Sequence, residues 1–162
     1  MGIMRLSRIG ASPRQSDSAA DQLFAALLRD GDQVLDVGAD STISARFTEY
    51  IACDVIRIDV ENFALDGVDS LRGAIARCKP VVLLDVNHWR LDDCQRTTVP
   101  DFLAALRTIF PLLFAVDGAG FHDLHDADGA CLAMYGHIAA TLRYPLLVGA
   151  FERTRLAQTL RT

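Results

Sequence analysis

The sequence predicts an α/β fold: a single-domain, open, mainly parallel sheet of about five strands with helices on both faces. Three observations lead there. Four short apolar runs, Val34 to Asp36, Val55 to Asp59, Val81 to Asp85 and Leu112 to Asp117, each end in an aspartate. Brief, rich in branched side chains and bounded by polar or turn residues, they read as strands buried on both faces. Helical spacing of apolar residues fills the intervals, and strand-helix-strand alternation implies right-handed crossovers and mainly parallel neighbours. The chain has 162 residues, 51% hydrophobic and 23% charged, enough for one domain to bury most of its apolar surface.

Residues 1–15 carry Gly10, Pro13 and several Ser and Arg and are expected to form an irregular arm, with the α/β domain spanning 16–162. Ser16 and Asp17 can cap a helix in which Ala20, Leu23, Phe24, Leu27 and Leu28 share a face. Asp30-Gly31-Asp32 supplies a tight turn into a first strand at 33–37. A short helix over 41–52, capped by Ser41, precedes a strand at 54–60. Leu65, Val68, Leu71, Ile75 and Ala76 make an amphipathic helix that stops before Pro80, a residue tolerated at the first position of the next strand, 81–86. Pro100 opens a helix carrying Phe102, Leu103, Leu106 and Ile109, and Pro111 separates it from the strand at 112–117. A loop over Gly118 to Gly129, a helix over 130–142 and a strand over 146–151 complete the expected order.

Composition narrows the function classes. The net charge of −5 gives no general reason to bind nucleic acid or an anionic membrane, with only Arg153, Arg155 and Arg161 available for a local basic patch. The opening Met1-Gly2-Ile3-Met4-Arg5-Leu6-Ser7 lacks the apolar core of a signal peptide, and no apolar stretch is long enough to span a bilayer, so a cytoplasmic location is expected. Cys53, Cys78, Cys94 and Cys131 are scattered without zinc spacing and read as reduced thiols.

In an open α/β sheet the ligand crevice lies outside the carboxyl ends of the strands, which is where the four aspartates fall. Asp59 and Glu61 leave the second strand at alternate positions, and Asp85, Asn87 and His88 leave the third. Together they suit the orientation of a hydroxyl or amine and acceptance of its proton. Trp89 beside them could stack on a ligand or pack over the sheet. The stretch His122-Asp123-Leu124-His125-Asp126-Ala127-Asp128-Gly129 has ligating side chains but matches no established metal motif. A solvated loop with Asp128 capping the next helix is the expectation, and no metal site is assigned.

Val34-Leu35-Asp36-Val37-Gly38-Ala39-Asp40 resembles the first motif of class I S-adenosylmethionine-dependent methyltransferases, whose glycine lets the backbone approach the cofactor. Further along come Glu49-Tyr50-Ile51, then Ile56-Arg57-Ile58-Asp59-Val60-Glu61-Asn62, Leu71-Arg72-Gly73-Ala74, and Lys79-Pro80-Val81-Val82-Leu83-Leu84-Asp85-Val86-Asn87. This segment is similar to the second half of FkbM-type methyltransferases, which have a "DEYI" lead-in, an "IKIDVEG-E" strand end, an "L-G-A" helix and a "KP-V-L-EV" strand. The resemblance implies a reduced Rossmann-like methyltransferase fold. It also implies O-methylation of a sugar or small metabolite from S-adenosylmethionine. Asp36, Gly38 and Asp40 would then lie at the cofactor, and Asp59, Glu61, Asp85, Asn87 and His88 at the acceptor.

The chain departs from that family in one large respect. Only about 16 residues separate the glycine motif from the "DVE" strand, whereas a βαβ unit alone needs roughly 30, so the family's two intervening strands, with the acid that binds the cofactor ribose, have no room. Asn62 replaces the usual glycine and Asp85 the commoner glutamate. The strand at 33–37 would become an exposed edge, which predicts a homodimer formed there. Two further readings stand beside the enzyme: a non-catalytic, methyltransferase-derived module for dimerisation or partner binding, and a Mg²⁺-dependent hydrolase or phosphotransferase using the strand-end aspartates.

Overall fold

The computed structural model describes residues 5–8, 19–37, 52–59, 65–86, 98–117, 120–139 and 146–156. In chain order the elements are β1 (Arg5–Arg8), α1 (Ala19–Leu27), β2 (Gln33–Val37), β3 (Val55–Asp59), α2 (Leu65–Cys78), β4 (Val81–Asp85), α3 (Val99–Ile109), β5 (Leu112–Asp117), β6 (Gly120–Asp123), α4 (Ala127–Ala139), β7 (Leu146–Ala150) and α5 (Arg153–Leu156). The strands make one open sheet in the order β1-β2-β3-β4-β7-β5-β6. Helices cover both faces, as expected. One core joins Leu35, Ile56 and Leu84 of the sheet to Leu71 and Ile75 of α2 and to Phe102 and Leu106 of α3. The opposite core joins Val81, Leu83 and Val148 to Leu27 of α1 and Leu156 of α5.

The sheet is mixed, which corrects the mainly parallel expectation. β2, β3 and β4 are parallel neighbours, but β7 runs antiparallel to both β4 and β5, and β6 runs antiparallel to β5. The last strand does not extend the series; it enters reversed between two earlier strands. Every residue of β7 is buried, and this suits a strand hydrogen-bonded on both edges and covered on both faces. Among the described residues seven strands replace the expected five, because β1 and β6 fall in stretches expected to be irregular.

β1 lies within the predicted N-terminal arm and pairs antiparallel with β2, Arg5 opposite Asp36 and Arg8 opposite Gln33. The strand at 33–37 is therefore not an edge, and the argument for dimerisation through it falls away. β6 occupies part of the predicted loop 118–129, and α4 begins at Ala127. Its cap is Asp126, whose Oδ2 accepts from Gly129 N at 3.0 Å, where Asp128 was expected. The predicted helix over 41–52, apart from its last residue, and the helix starts at Ser16 and Asp17 lie outside the described residues.

Local chemistry sets the other boundaries. Gly31, at φ 87°, takes the left-handed conformation of the turn before β2. Asp32, the turn's last residue, is buried. It accepts Arg29 N at 2.9 Å and both Arg155 amino groups, at 3.2 and 2.8 Å. This fork ties α5 to the turn. Thr98 caps α3 by accepting Asp101 N at 3.3 Å, with Pro100 in the first turn. Lys79, at φ 48°, reverses the chain between α2 and β4, its N–H bonded to Ile75 O at 2.9 Å.

Two predictions follow from this packing. An ideal Cβ at Gly149 of β7 would lie 2.6 Å from Phe110 Cγ, and Phe110 is fully buried. Gly149→Ala is expected to destabilise the fold by about 1–3 kcal/mol through overpacking, read from the midpoint of urea unfolding. Burial, followed by the neighbouring Cys78, pushes the Cys53 thiol from its ordinary value of 9.0 up to about 12. A raised folded-state pKa gives stability that is intact below the unfolded value and lost as pH rises towards the folded one. Stability should therefore fall as pH rises above 9 on account of this group. Cys53→Ala should flatten that part of the profile, measured by urea unfolding from pH 8 to about 10.5.

Candidate functional site

Because β5 is antiparallel to β7 and β7 to β4, the four strands bearing the terminal aspartates all point the same way. Their carboxyl ends form one edge, as the sequence predicts. Register then separates the acids. Asp59 of β3 stands directly opposite Asp85 of β4, which sets their backbones about 4.8 Å apart, the spacing of neighbouring strands. Asp36 lies one rung short of the end of β2, paired with Arg57 of β3 on one side and Arg5 of β1 on the other. Asp117 ends β5 on the far side of β7, one rung beyond the level of Asp85. The row is thus a pair, a set-back member and an outlier.

Asp36 and Asp85 are both half-buried. Of the remaining predicted residues, Gly38 and Asp40 on the cofactor side and Glu61, Asn87 and His88 on the acceptor side lie outside the described residues, as does Trp89.

Arg57 is a residue that sequence reasoning did not single out as functional. It interrupts the apolar run Val55-Ile56-Arg57-Ile58, and a charged residue inside a strand expected to be buried on both faces was the available signal. Its Nη1 donates to Asp21 Oδ1 of α1 at 2.7 Å, and the guanidinium lies 5.4 Å from the Phe24 ring centroid. Arg57 shares a rung with Asp36 and with Leu83, and Leu83 packs in the α1-side core. Held by a carboxylate and an aromatic face of α1, this cation shares its rung with the set-back acid. It reduces the local excess of negative charge on β2 to β4.

The other sequence candidates take structural roles in the described residues. Asp123 Oδ1 accepts His125 N at 2.9 Å, closing a turn. His125 Nε2 lies 2.9 Å from Phe110 O. No group of three or more His, Cys, Asp or Glu side chains among the described residues is arranged to hold a metal. Arg155 is committed to Asp32, which weakens the basic patch proposed for the C-terminal segment. A small apolar pocket, about 10 Å³, lies beside the same sheet edge on the α3 face, lined by Val86, Phe102, Leu103, Ala115 and Leu147 among others. That is roughly the space of one water.

Among the described residues no helix is long and apolar enough to cross a membrane. Comparison with family models, with curated proteins and with solved structures finds no match for the chain. The functional reading therefore rests on the residues themselves.

The Arg57–Asp21 pair is partly exposed, with side-chain exposures of 28% and 30%, and solvent screening limits its worth. A double-mutant cycle with Arg57→Ala and Asp21→Ala, followed by urea unfolding, should give a coupling of about 0.5–1 kcal/mol. Arg57→Ala should cost more than Asp21→Ala, because it also removes the contact with Phe24 and the buried stem of the side chain.

Proposed function

We propose that the chain is a shortened, cytoplasmic, methyltransferase-like domain that transfers a methyl group to an oxygen of a sugar or small metabolite. The observation that carries this reading is the register pair Asp59 and Asp85 at the carboxyl edge of parallel β3 and β4. These are the two strands whose sequence resembles the FkbM type. An open sheet with three adjacent parallel strands is compatible with a Rossmann-like methyltransferase fold. Neighbouring carboxylates accept hydrogen bonds and donate none, so they suit a hydroxyl that must be oriented and relieved of its proton. Asp85 and Asp59, with Glu61, Asn87 and His88 from the segments that follow, are the acceptor-side residues in this reading.

S-adenosylmethionine would supply the methyl group. The described residues offer one side of a place for it: half-buried Asp36 near the end of β2, with β1 paired along the outer side of that strand. In this reading β1, paired along β2, is the described element that would wall the site on that side. Gly38 and Asp40, which follow β2 in the chain, are the other cofactor-side residues in this reading.

A second reading is favoured by that same substitution of strands. β2 is flanked by β1 and β3, which leaves no neighbouring strand to carry a ribose-binding acid. A non-catalytic domain that works by dimerisation or partner binding would have this arrangement. The Mg²⁺-dependent hydrolase reading finds no supporting cluster among the described residues.

Isothermal titration with S-adenosylmethionine and S-adenosylhomocysteine separates the first two readings. Under the enzyme reading, the full chain binds at micromolar to sub-millimolar concentration, Asp36→Ala weakens binding at least tenfold, and removal of residues 1–8 abolishes it. Asp85→Asn is then expected to keep cofactor binding while lowering methyl transfer to a responsive acceptor by about 10²-fold or more. No heat and no thermal shift with either ligand would overturn the enzyme reading and leave the binding module.

A further inference from the structure

The sheet edge opposite the strand-end acids brings two cysteines together. Cys53, just before β3, is 4% exposed and belongs to the core on the α2 and α3 face. Cys78, the last residue of α2, is half-buried and packs against that same core. Backbone geometry brings their segments together. Val81 N donates to Asp54 O at 2.9 Å, which fixes the entry to β4 beside the entry to β3. Lys79, in a left-handed conformation, joins the end of α2 to that entry. Both side chains pack in the same core, and after burial Cys78 is the neighbour that most raises the Cys53 pKa.

We propose that Cys53 and Cys78 are a reversible dithiol–disulfide pair, a redox device that ties the end of α2 to the start of β3. Exposure assigns the order of events. Cys78 is reachable from solvent and reacts first with a hydroperoxide: its sulfur takes one oxygen, the O–O bond breaks, and an alcohol or water leaves. Cys53 is enclosed, and burial keeps its thiol protonated well above neutral pH, so it serves as the second partner. Its sulfur displaces the hydroxyl of the Cys78 sulfenic acid, the S–S bond forms, and the Cys53 proton leaves with the hydroxide as water. Two electrons pass in all from the two thiols to the peroxide, and a small dithiol returns them by exchange.

A shared core distinguishes this pair from Cys131, which is exposed on α4. Oxidation of an isolated thiol proceeds to sulfenic and then sulfinic acid, whereas a neighbouring thiol diverts the sulfenic acid into a disulfide. The pair is also remote from the carboxyl edge of β3 and β4, so its test is independent of any methyl transfer.

The experiment treats the full chain with a few equivalents of hydrogen peroxide, blocks remaining thiols with an alkylating agent, and maps the linked peptides by mass spectrometry. The expected result is a Cys53–Cys78 link with loss of two hydrogens, removed by dithiothreitol and absent in Cys78→Ser. In Cys53→Ala, Cys78 should accumulate as a sulfenic acid that a cyclic 1,3-dione traps. Linkage of Cys53 to Cys94 or Cys131, or sulfinic acid at Cys78 with Cys53 still a thiol, overturns the proposal. If Cys53→Ala fails to fold, the wild-type map together with Cys78→Ser decides the matter, since Cys78 is only half-buried.

Discussion

The reversed strand β7 is the constraint on which the rest of this fold depends. It pairs with β4 on one side and β5 on the other. Without it, two strand edges in the middle of the sheet would lose their ladder partners inside the core, and buried backbone groups without partners are costly. The site at Gly149 is shaped for the Phe110 ring, which closes in where a side chain would otherwise stand. Phe110 also meets Phe151 edge to face, with centroids 5.7 Å apart. One strand therefore joins α3, β5 and the parallel half of the sheet, and the Asp32–Arg155 fork carries its far end back to the turn before β2.

The strand ends inherit their arrangement from this frame. Because β7 stands between β4 and β5, Asp117 is separated from Asp85 by a whole strand, whereas Asp59 and Asp85 share a rung. Equivalence in sequence, each acid closing an apolar run, becomes inequivalence in space. Asp59 and Asp85 share a rung of adjacent parallel strands. Asp36, set back beside Arg57, has a cation on its own rung and so a different electrostatic setting from the pair.

The strands of the core were legible because burial on both faces leaves a simple signature, a short run dominated by apolar residues, and β2, β3, β4, β5 and β7 all carry one, with Arg57 interrupting that of β3. Helices α1, α2 and α3 were legible from spacing and, for α3, from Pro100; the Thr98 cap was not read from the sequence. What the sequence hid was direction and pairing. Leu146 to Ala150 reads the same whether the strand runs parallel or antiparallel, since periodicity records burial and carries no orientation. β1, Arg5-Leu6-Ser7-Arg8, has no apolar pattern to read, because its pairing is made by main-chain groups. The edge location of the site was legible from strand ends alone; Arg57 was overlooked because one charge in an apolar run was absorbed into the strand assignment.

β1 links the two open questions about function. A strand of four residues with arginine at both ends resists further pairing along its outer side, as short and charged edge strands do. It therefore covers the edge that β2 would otherwise present. The same pairing puts Arg5 on the rung of Asp36. Paired on one side only, it is held by fewer ladder bonds than any central strand, and such elements open locally at lower free energy than the core. Protection of the edge thus draws on one weak pairing, and any ligand that bound only where β1 is closed would stabilise that pairing.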